Sequence, residues 1–281
     1  MGRYLLAGHL TRDLVPGEGF RFGGAVLYAG LTVRRLSWET HVITACAERP
    51  VELERLFGEL FFHLETSAET TIFVNEEGPQ GRRQRVLARA RPLTFKVLPK
   101  QPWVTEVLHL APVLDEIPPQ AGSLLKKLRF RHLVAHPQGW FREVDQEGWV
   151  HPRVPDLSGA PHFEALVVSE EDLAADLQGL LAELRRRADL LVLTRGAEGA
   201  SLFEGGKERF FPACKVPEVD PTGAGDVLAG AFFGLLLQGK RPEEALEKAM
   251  QFAAIAVTRP GLSGVPTFRE ISSLLFKNAL Y

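Results

Sequence analysis

Residues Val219-Asp220-Pro221-Thr222-Gly223-Ala224-Gly225-Asp226 run directly into the apolar helical pattern VLAGAFFGLLL. Glycines let backbone come close to a ligand, and a helix start offers unpaired N–H groups at the positive end of its dipole. Such a place attracts an anion. Asp226 falls in the same turn, where the dipole favours its ionised form, the form a general base needs. An anion site beside a base is what phosphoryl transfer to an alcohol requires: donors for the charge on the moving group, and a carboxylate for the nucleophile's proton. The bland alternative is a Gly-rich turn with an Asp that caps a helix. The complete Pro-Thr-Gly-Ala-Gly-Asp string favours the chemistry over the cap.

Elements that could position this segment are legible upstream. Apolar, β-prone runs recur as RYLLAG, HVITAC, VLHLAP, HLVAHP, ALVVSE and LLVLTRG. Helical patterns such as GAVLYAGLTVRRL and DLAADLQGLLAELRRRA lie between most of them, which predicts a parallel sheet wrapped by helices. Residues 10–22 and 69–97 break the rhythm; TTIFVN and RQRVLARA flank the turn-like EEGPQG as a hairpin would. They predict a small accessory sheet. Beyond residue 223 the pattern is helical, punctuated by Gly and Pro. The expected fold is a three-layer α/β/α sandwich with a mostly parallel central sheet and a small β lid, one domain over residues 1–281.

Asp220 to Asp226 resembles the C-terminal signature Asp-Thr-x-Gly-Ala-Gly-Asp of the ribokinase-like, or phosphofructokinase B type, carbohydrate kinases, with Pro221 as a departure. The resemblance implies ATP and Mg²⁺ as cofactors, Asp226 as catalytic base, and the backbone of Gly223, Ala224 and Gly225 as anion hole. Gly23 and Gly24 resemble the family's di-glycine segment near the acceptor, and Asp13 the early Asp that holds acceptor hydroxyls. Thr194 and Gly196, in LTRGAEG, resemble the segment lying against the nucleotide. The family's Asn-x-x-Glu stands here as Ser169-Glu170-Glu171-Asp172; Ser169 takes the amide's place near the nucleotide, and Asp172 keeps a carboxylate able to serve hydrated Mg²⁺. The same pair also reads as a helix cap. Relatives bind a monovalent cation beside the anion hole, implying K⁺ near Asp220 and the VTRPGLSGVP loop.

Acceptor identity is less legible. Tyr28 replaces the Asn usual in relatives, which puts an aromatic wall near the acceptor and argues against ribose. His136-Pro137-Gln138-Gly139-Trp140-Phe141-Arg142 resembles the Asp-x-Gln-Gly-x-x-Arg segment of the inositol-kinase branch, implying that Gln138 and Arg142 read hydroxyls; the alternative is a strand-end turn with Arg142 solvated. A cyclitol such as myo-inositol is the expected acceptor. A nucleoside or keto-sugar kinase, and a catalytically weak sugar-binding relative, are the alternatives.

Composition excludes other classes. Net charge is −2 and the basic residues are dispersed, so nucleic acid is not an expected partner. No signal peptide and no membrane span is predicted, and the expected location is cytoplasmic. Cys46 and Cys214 are expected to be buried thiols. Gly234 to Lys240 imitates a P-loop, but Arg241 stands where Ser or Thr must hold Mg²⁺, so Gly239 is read as a helix end. His132 and His136, four apart on a strand, cannot share a metal and are expected to be core or solvated. The exposed edges of a β lid predict a homodimer through it.

Overall fold

The computed structural model describes residues 2–15, 17–78, 81–98 and 104–276. Pro79 and Gln80, at the tip of the expected hairpin, lie outside them. The first half of the chain runs β1 (Arg3–Ala7), β2 (Thr11–Val15), β3 (Gly19–Gly23), α1 (Ala25–Arg35), β4 (Glu39–Cys46), α2 (Pro50–Leu56), β5 (Phe61–Thr66), β6 (Thr71–Gly78), β7 (Gly81–Ala88) and β8 (Val104–Leu110). It continues through α3 (Gly122–Leu125), β9 (Arg129–Ala135), β10 (Arg142–Val144), β11 (Val150–Pro152), β12 (Phe163–Ser169), α4 (Leu177–Arg185), β13 (Ala188–Thr194), β14 (Gly199–Glu204) and β15 (Lys207–Pro212). Three helices close it: α5 (Ala224–Leu236), α6 (Pro242–Ala256) and α7 (Phe268–Phe276).

Nine strands form the main sheet in the order β15-β14-β13-β12-β9-β8-β1-β4-β5. From β13 to β5 every pairing is parallel, whereas β14 and β15 add an antiparallel hairpin at the edge. Alternation along the strands explains the layers. Tyr4, Leu6, Val107, Val134, Val167 and Val192 pack into one apolar cluster with α1, α5 and α6, while Leu5, Ala7, Leu108, Leu133, Leu166 and Leu191 pack into another with α4. Successive side chains point to opposite faces, so a strand apolar at every position is buried on both. That is the three-layer α/β/α sandwich.

The accessory sheet has the order β3-β2-β6-β7. It matches the expected segments, except that its last strand stops at Ala88 and residues 89–98 follow an irregular path. Buried Glu65 holds that path by accepting from the N–H groups of Thr94 and Lys96. The helix expected over 172–188 is shorter, beginning only at Leu177, where Asp176 caps it by accepting from Gly179 N at 3.0 Å. Cys46 is buried, but Cys214 is exposed, because it follows the outermost strand, β15, rather than a core strand.

Candidate active site

Helix α5 begins behind Gly223, whose φ of +80° lies in the left-handed region. A Cβ there would also stand 2.3 Å from ring carbons of Tyr28, so fold geometry alone demands glycine. Gly225 differs. It is exposed, lies in the helix, and a Cβ would meet nothing within 4 Å. Neither packing nor backbone conformation requires glycine at this position, which costs a helix roughly 0.5–1 kcal/mol relative to Ala. The space beside it is open. Among the described residues none accepts from the N–H groups of Gly225 or Asp226, which leaves them as donors at the positive end of α5.

Asp226, in that first turn, is half-buried and accepts from Nε2 of His136 at 3.0 Å. His136 lies just beyond the end of β9 and is itself buried. Of the two expectations, core or solvated, it meets the first, and its partner is what the sequence did not show: β9 and α5 bring together two residues 90 positions apart. His132, by contrast, meets Glu164 at 2.5 Å, away from this cluster.

The loop preceding α5 is fastened by Asp220. Its Oδ1 accepts from Thr222 N and its Oδ2 from Gly261 N, each at 2.9 Å, while the Val257 carbonyl accepts from Val219 N and Asp220 N. Asp220 thus joins the segment before the anion hole to the segment after α6.

Asp13, Tyr28, Asn75, Asp220 and Thr222 line one cavity of about 250 Å³ between lid and main body. Burial, then the carboxylates of Asp13, Asp226 and Asp220, raise the Tyr28 phenol far above its ordinary value and keep it protonated. Gly23 and Gly24 serve the lid's own packing. A Cβ at Gly23 would stand 2.7 Å from Asp13 Oδ2, and one at Gly24 2.6 Å from the His9 carbonyl. Arg142 is not solvated: its Nη1 donates to Gln84 Oε1 at 3.1 Å and approaches the Val113 carbonyl at 3.5 Å. Gln84 in turn donates to Asn75 Oδ1 at 3.2 Å, a chain that ties the start of β10 to the lid. Burial lowers the Arg142 pKa, offset by the surrounding carboxylates Asp172, Asp226, Glu116 and Glu171. Gln138, half-buried, opens the short 3₁₀ turn after β9, and a Cβ on Gly139 would collide with the Leu114 carbonyl at 1.9 Å.

Ser169 and Thr194 are register partners at the carboxyl ends of β12 and β13, and Gly196 follows with φ +51°. Ser169 Oγ accepts from Asp172 N at 3.0 Å, and Asp172 Oδ2 accepts from Ser169 N at 3.1 Å. The cap geometry is therefore present, though it closes a turn rather than a helix. Two strand spacings, about 10 Å, separate β13 from β9, so these residues and the His136–Asp226 pair occupy the same carboxyl edge of the sheet. In open α/β sheets that edge is where ligands bind. A second cavity, of about 410 Å³, is walled by Val216, Ala254, Ile255, Thr258 and Leu274.

Residues 154–267 match the pfkB family carbohydrate kinase model. That segment is a pfkB family carbohydrate kinase domain. Among curated proteins, the chain is similar to 2-dehydro-3-deoxygluconokinase of Thermoproteus tenax (44% identity over 86 residues, 30% of this chain and 26% of that protein). It is also similar to ribokinase of Bacillus subtilis (40% over 86 residues, 30% and 29%). The chain thus spans less than a third of the length of these two relatives. Among solved structures, similar folds include a pyrophosphate-dependent myo-inositol-1 kinase converted into a myo-inositol-3 kinase (21% identity, 99% of this chain and 100% of that one, TM-score 0.79). Ribokinase of Thermotoga maritima is another (20% identity, 99% and 100%, TM-score 0.71). The fold is ribokinase-like.

Sequence reasoning missed three participants. His136 was set aside, and Asn75 and Gln84 were not singled out. Asn75 did carry a signal, since asparagine occurs only twice in the chain.

Proposed function

We propose that this chain is a phosphotransferase that moves the γ-phosphoryl group of ATP to a hydroxyl of a cyclic polyol, with Asp226 as base. The observation that carries the reading is the start of α5. A glycine that the fold does not need, two free N–H donors and a carboxylate share one turn facing open space. In this reading the free N–H groups of Gly225 and Asp226, beside Gly223, supply the anion hole; Ala224, expected to share it, instead donates its N–H to the Pro221 carbonyl at 3.2 Å. Asp226 Oδ2 takes the acceptor's proton while Oδ1 stays with His136. Asp13, Asn75 and Tyr28 hold the acceptor in the lid cavity, and lid closure excludes water, which would otherwise compete for the phosphoryl group. Arg142, through Gln84, couples the lid's position to the reacting end.

Ser169, Thr194 and Gly196 fit the donor's phosphates, and the apolar cavity at Val216 and Ile255 fits a nucleobase. No group of three His, Cys, Asp or Glu side chains among the described residues could cage a metal. Asp172 therefore fits Mg²⁺ in the way that ion prefers, through water and alongside the donor's phosphates. Mg²⁺ supplies charge neutralisation on those phosphates. Asp220 spends both oxygens on backbone N–H groups, so K⁺, if bound beside the anion hole, would rest on loop carbonyls.

Asp226→Asn should lower turnover by about 10²- to 10⁴-fold with the fold retained. Assays pairing ATP or pyrophosphate with myo-inositol, fructose, ribose, 2-keto-3-deoxygluconate or adenosine test donor and acceptor together. Pyrophosphate is the second reading for the donor, suggested by the myo-inositol kinase of similar fold; turnover with pyrophosphate and none with ATP would replace the donor. Preference for ribose or adenosine would replace the acceptor. A near-normal Asp226→Asn enzyme would end the mechanism.

A further inference from the structure

A line of buried polar groups runs from Asp226 into the apolar layer between the sheet and α5, where nothing in the mechanism so far uses it. His136 Nδ1 lies 2.6 Å from His109 Nε2, and His109 Nδ1 lies 2.9 Å from the Tyr4 hydroxyl. Tyr4 and His109 are wholly enclosed and His136 nearly so. Phe233 packs edge-on to the His109 ring and Trp38 edge-on to Tyr4.

The direction of these bonds follows from chemistry. Burial holds the Tyr4 phenol protonated, and burial followed by the neighbouring His136 holds His109 neutral. A neutral imidazole has one N–H and one acceptor nitrogen. The Tyr4 proton has no other acceptor among the described residues, so the hydroxyl donates to His109 Nδ1. The single N–H of His109 is then on Nε2 and donates to His136 Nδ1. With His136 Nδ1 accepting, its N–H is on Nε2, where it donates to Asp226 Oδ1. The reversed line exists only if Asp226 carries a proton on Oδ1, and it would strand the Tyr4 proton in the core without an acceptor, a costly state.

We infer that Tyr4, His109 and His136 form a one-way hydrogen-bond relay that keeps Asp226 Oδ1 an acceptor, so that Oδ2 is presented to the substrate hydroxyl. His136 is a positioning residue, and Tyr4, which never approaches the substrate, sets the polarity of the line. The inference rests on Asp226 being the base proposed above. Other groups face the same carboxylate. Arg142 and Tyr28 lie in its field, and Asp13 and Asp220 surround Tyr28 as Asp172, Glu116 and Glu171 surround Arg142. A donated hydrogen bond favours the carboxylate, so its loss raises the Asp226 pKa and carries the acid limb of kcat/KM to higher pH.

The test uses the full chain. In ligand-free protein at neutral pH, two-bond ¹H–¹⁵N correlation spectra should show His109 and His136 both neutral with the proton on Nε2. Tyr4→Phe removes one buried hydroxyl at nearly constant shape, and should raise the Asp226 carboxyl-¹³C titration midpoint by about one unit, a tenfold change in its ionisation constant. With ATP and myo-inositol, Tyr4→Phe and His136→Phe should move the acid limb upward with KM unchanged, and His136→Gln, which keeps an N–H donor, should restore it. A proton on Nδ1 of either ring, a charged His136 at neutral pH, or an unmoved Asp226 midpoint in Tyr4→Phe would overturn the relay. Correct tautomers and a shifted midpoint in a protein that turns over no donor and acceptor would instead uphold the relay and reject the kinase reading.

Discussion

Two glycines in one short string carry different burdens, and substitution separates them. Gly223→Ala forces a Cβ to 2.3 Å from the Tyr28 ring at a φ of +80°. Left-handed strain and overpacking each cost about 1–3 kcal/mol, so thermal unfolding should show a clear loss of stability together with lost activity. Gly225→Ala meets nothing within 4 Å and should fold as well as the parent or slightly better. Its turnover should nonetheless fall, because the methyl group occupies space left for the anion. Stability and turnover measured on both variants check this; a fully active Gly225→Ala would show that the open space is not used. The same contrast marks what was legible from residues alone. The string from Asp220 to Asp226 is contiguous, so its types and spacing could be read directly. The partner of Asp226 could not, since nothing local says that a residue 90 positions away ends its strand beside α5.

Elements decide which of the weaker motifs meet. Parallel pairing places the ends of β9, β12 and β13 side by side, and so converts Ser169, Thr194 and His136 from separate hints into one edge. Strands buried on both faces were visible as continuous apolar runs. The β14–β15 hairpin was not, since β15 alternates exposed and half-buried residues and its register depends on pairing with β14. The Ser169–Asp172 turn illustrates how one geometry serves two purposes. Asp172 Oδ2 closes the turn, and its other oxygen remains for hydrated Mg²⁺ in the proposed mechanism. Asp172→Asn keeps an oxygen for Ser169 N but loses the charge. The Mg²⁺ concentration for half-maximal rate should rise by about 10-fold, the scale of losing a supporting metal contact, while the melting temperature stays nearly unchanged. An unaltered Mg²⁺ requirement would remove Asp172 from the donor site.

At the scale of the whole molecule, the small sheet carries Asp13 and Asn75 over the cavity proposed for the acceptor. Its order leaves β3 and β7 outermost, but Arg85 of β7 bridges to Trp149 and Val86 N donates to the Gly148 carbonyl, so β3, which carries exposed Phe20, is the open edge among the described residues. Unpaired edges bearing apolar side chains favour association with another strand, and two copies of one lid can satisfy each other across a two-fold axis. A dimer formed this way would stiffen the lid and hold the Arg142–Gln84–Asn75 chain in register, so association and acceptor binding should be coupled. Stable interfaces bury about 800 Å² per partner, more than Phe20 alone provides, so the β3 edge must take part. Sedimentation velocity at micromolar concentration should show a dimer. Phe20→Lys, a change at an exposed position that leaves the core intact, should shift it toward monomer and raise KM for the acceptor more than it lowers kcat. A parent protein that sediments only as monomer refutes the dimer, and a Phe20→Lys protein that remains dimeric moves the interface away from β3.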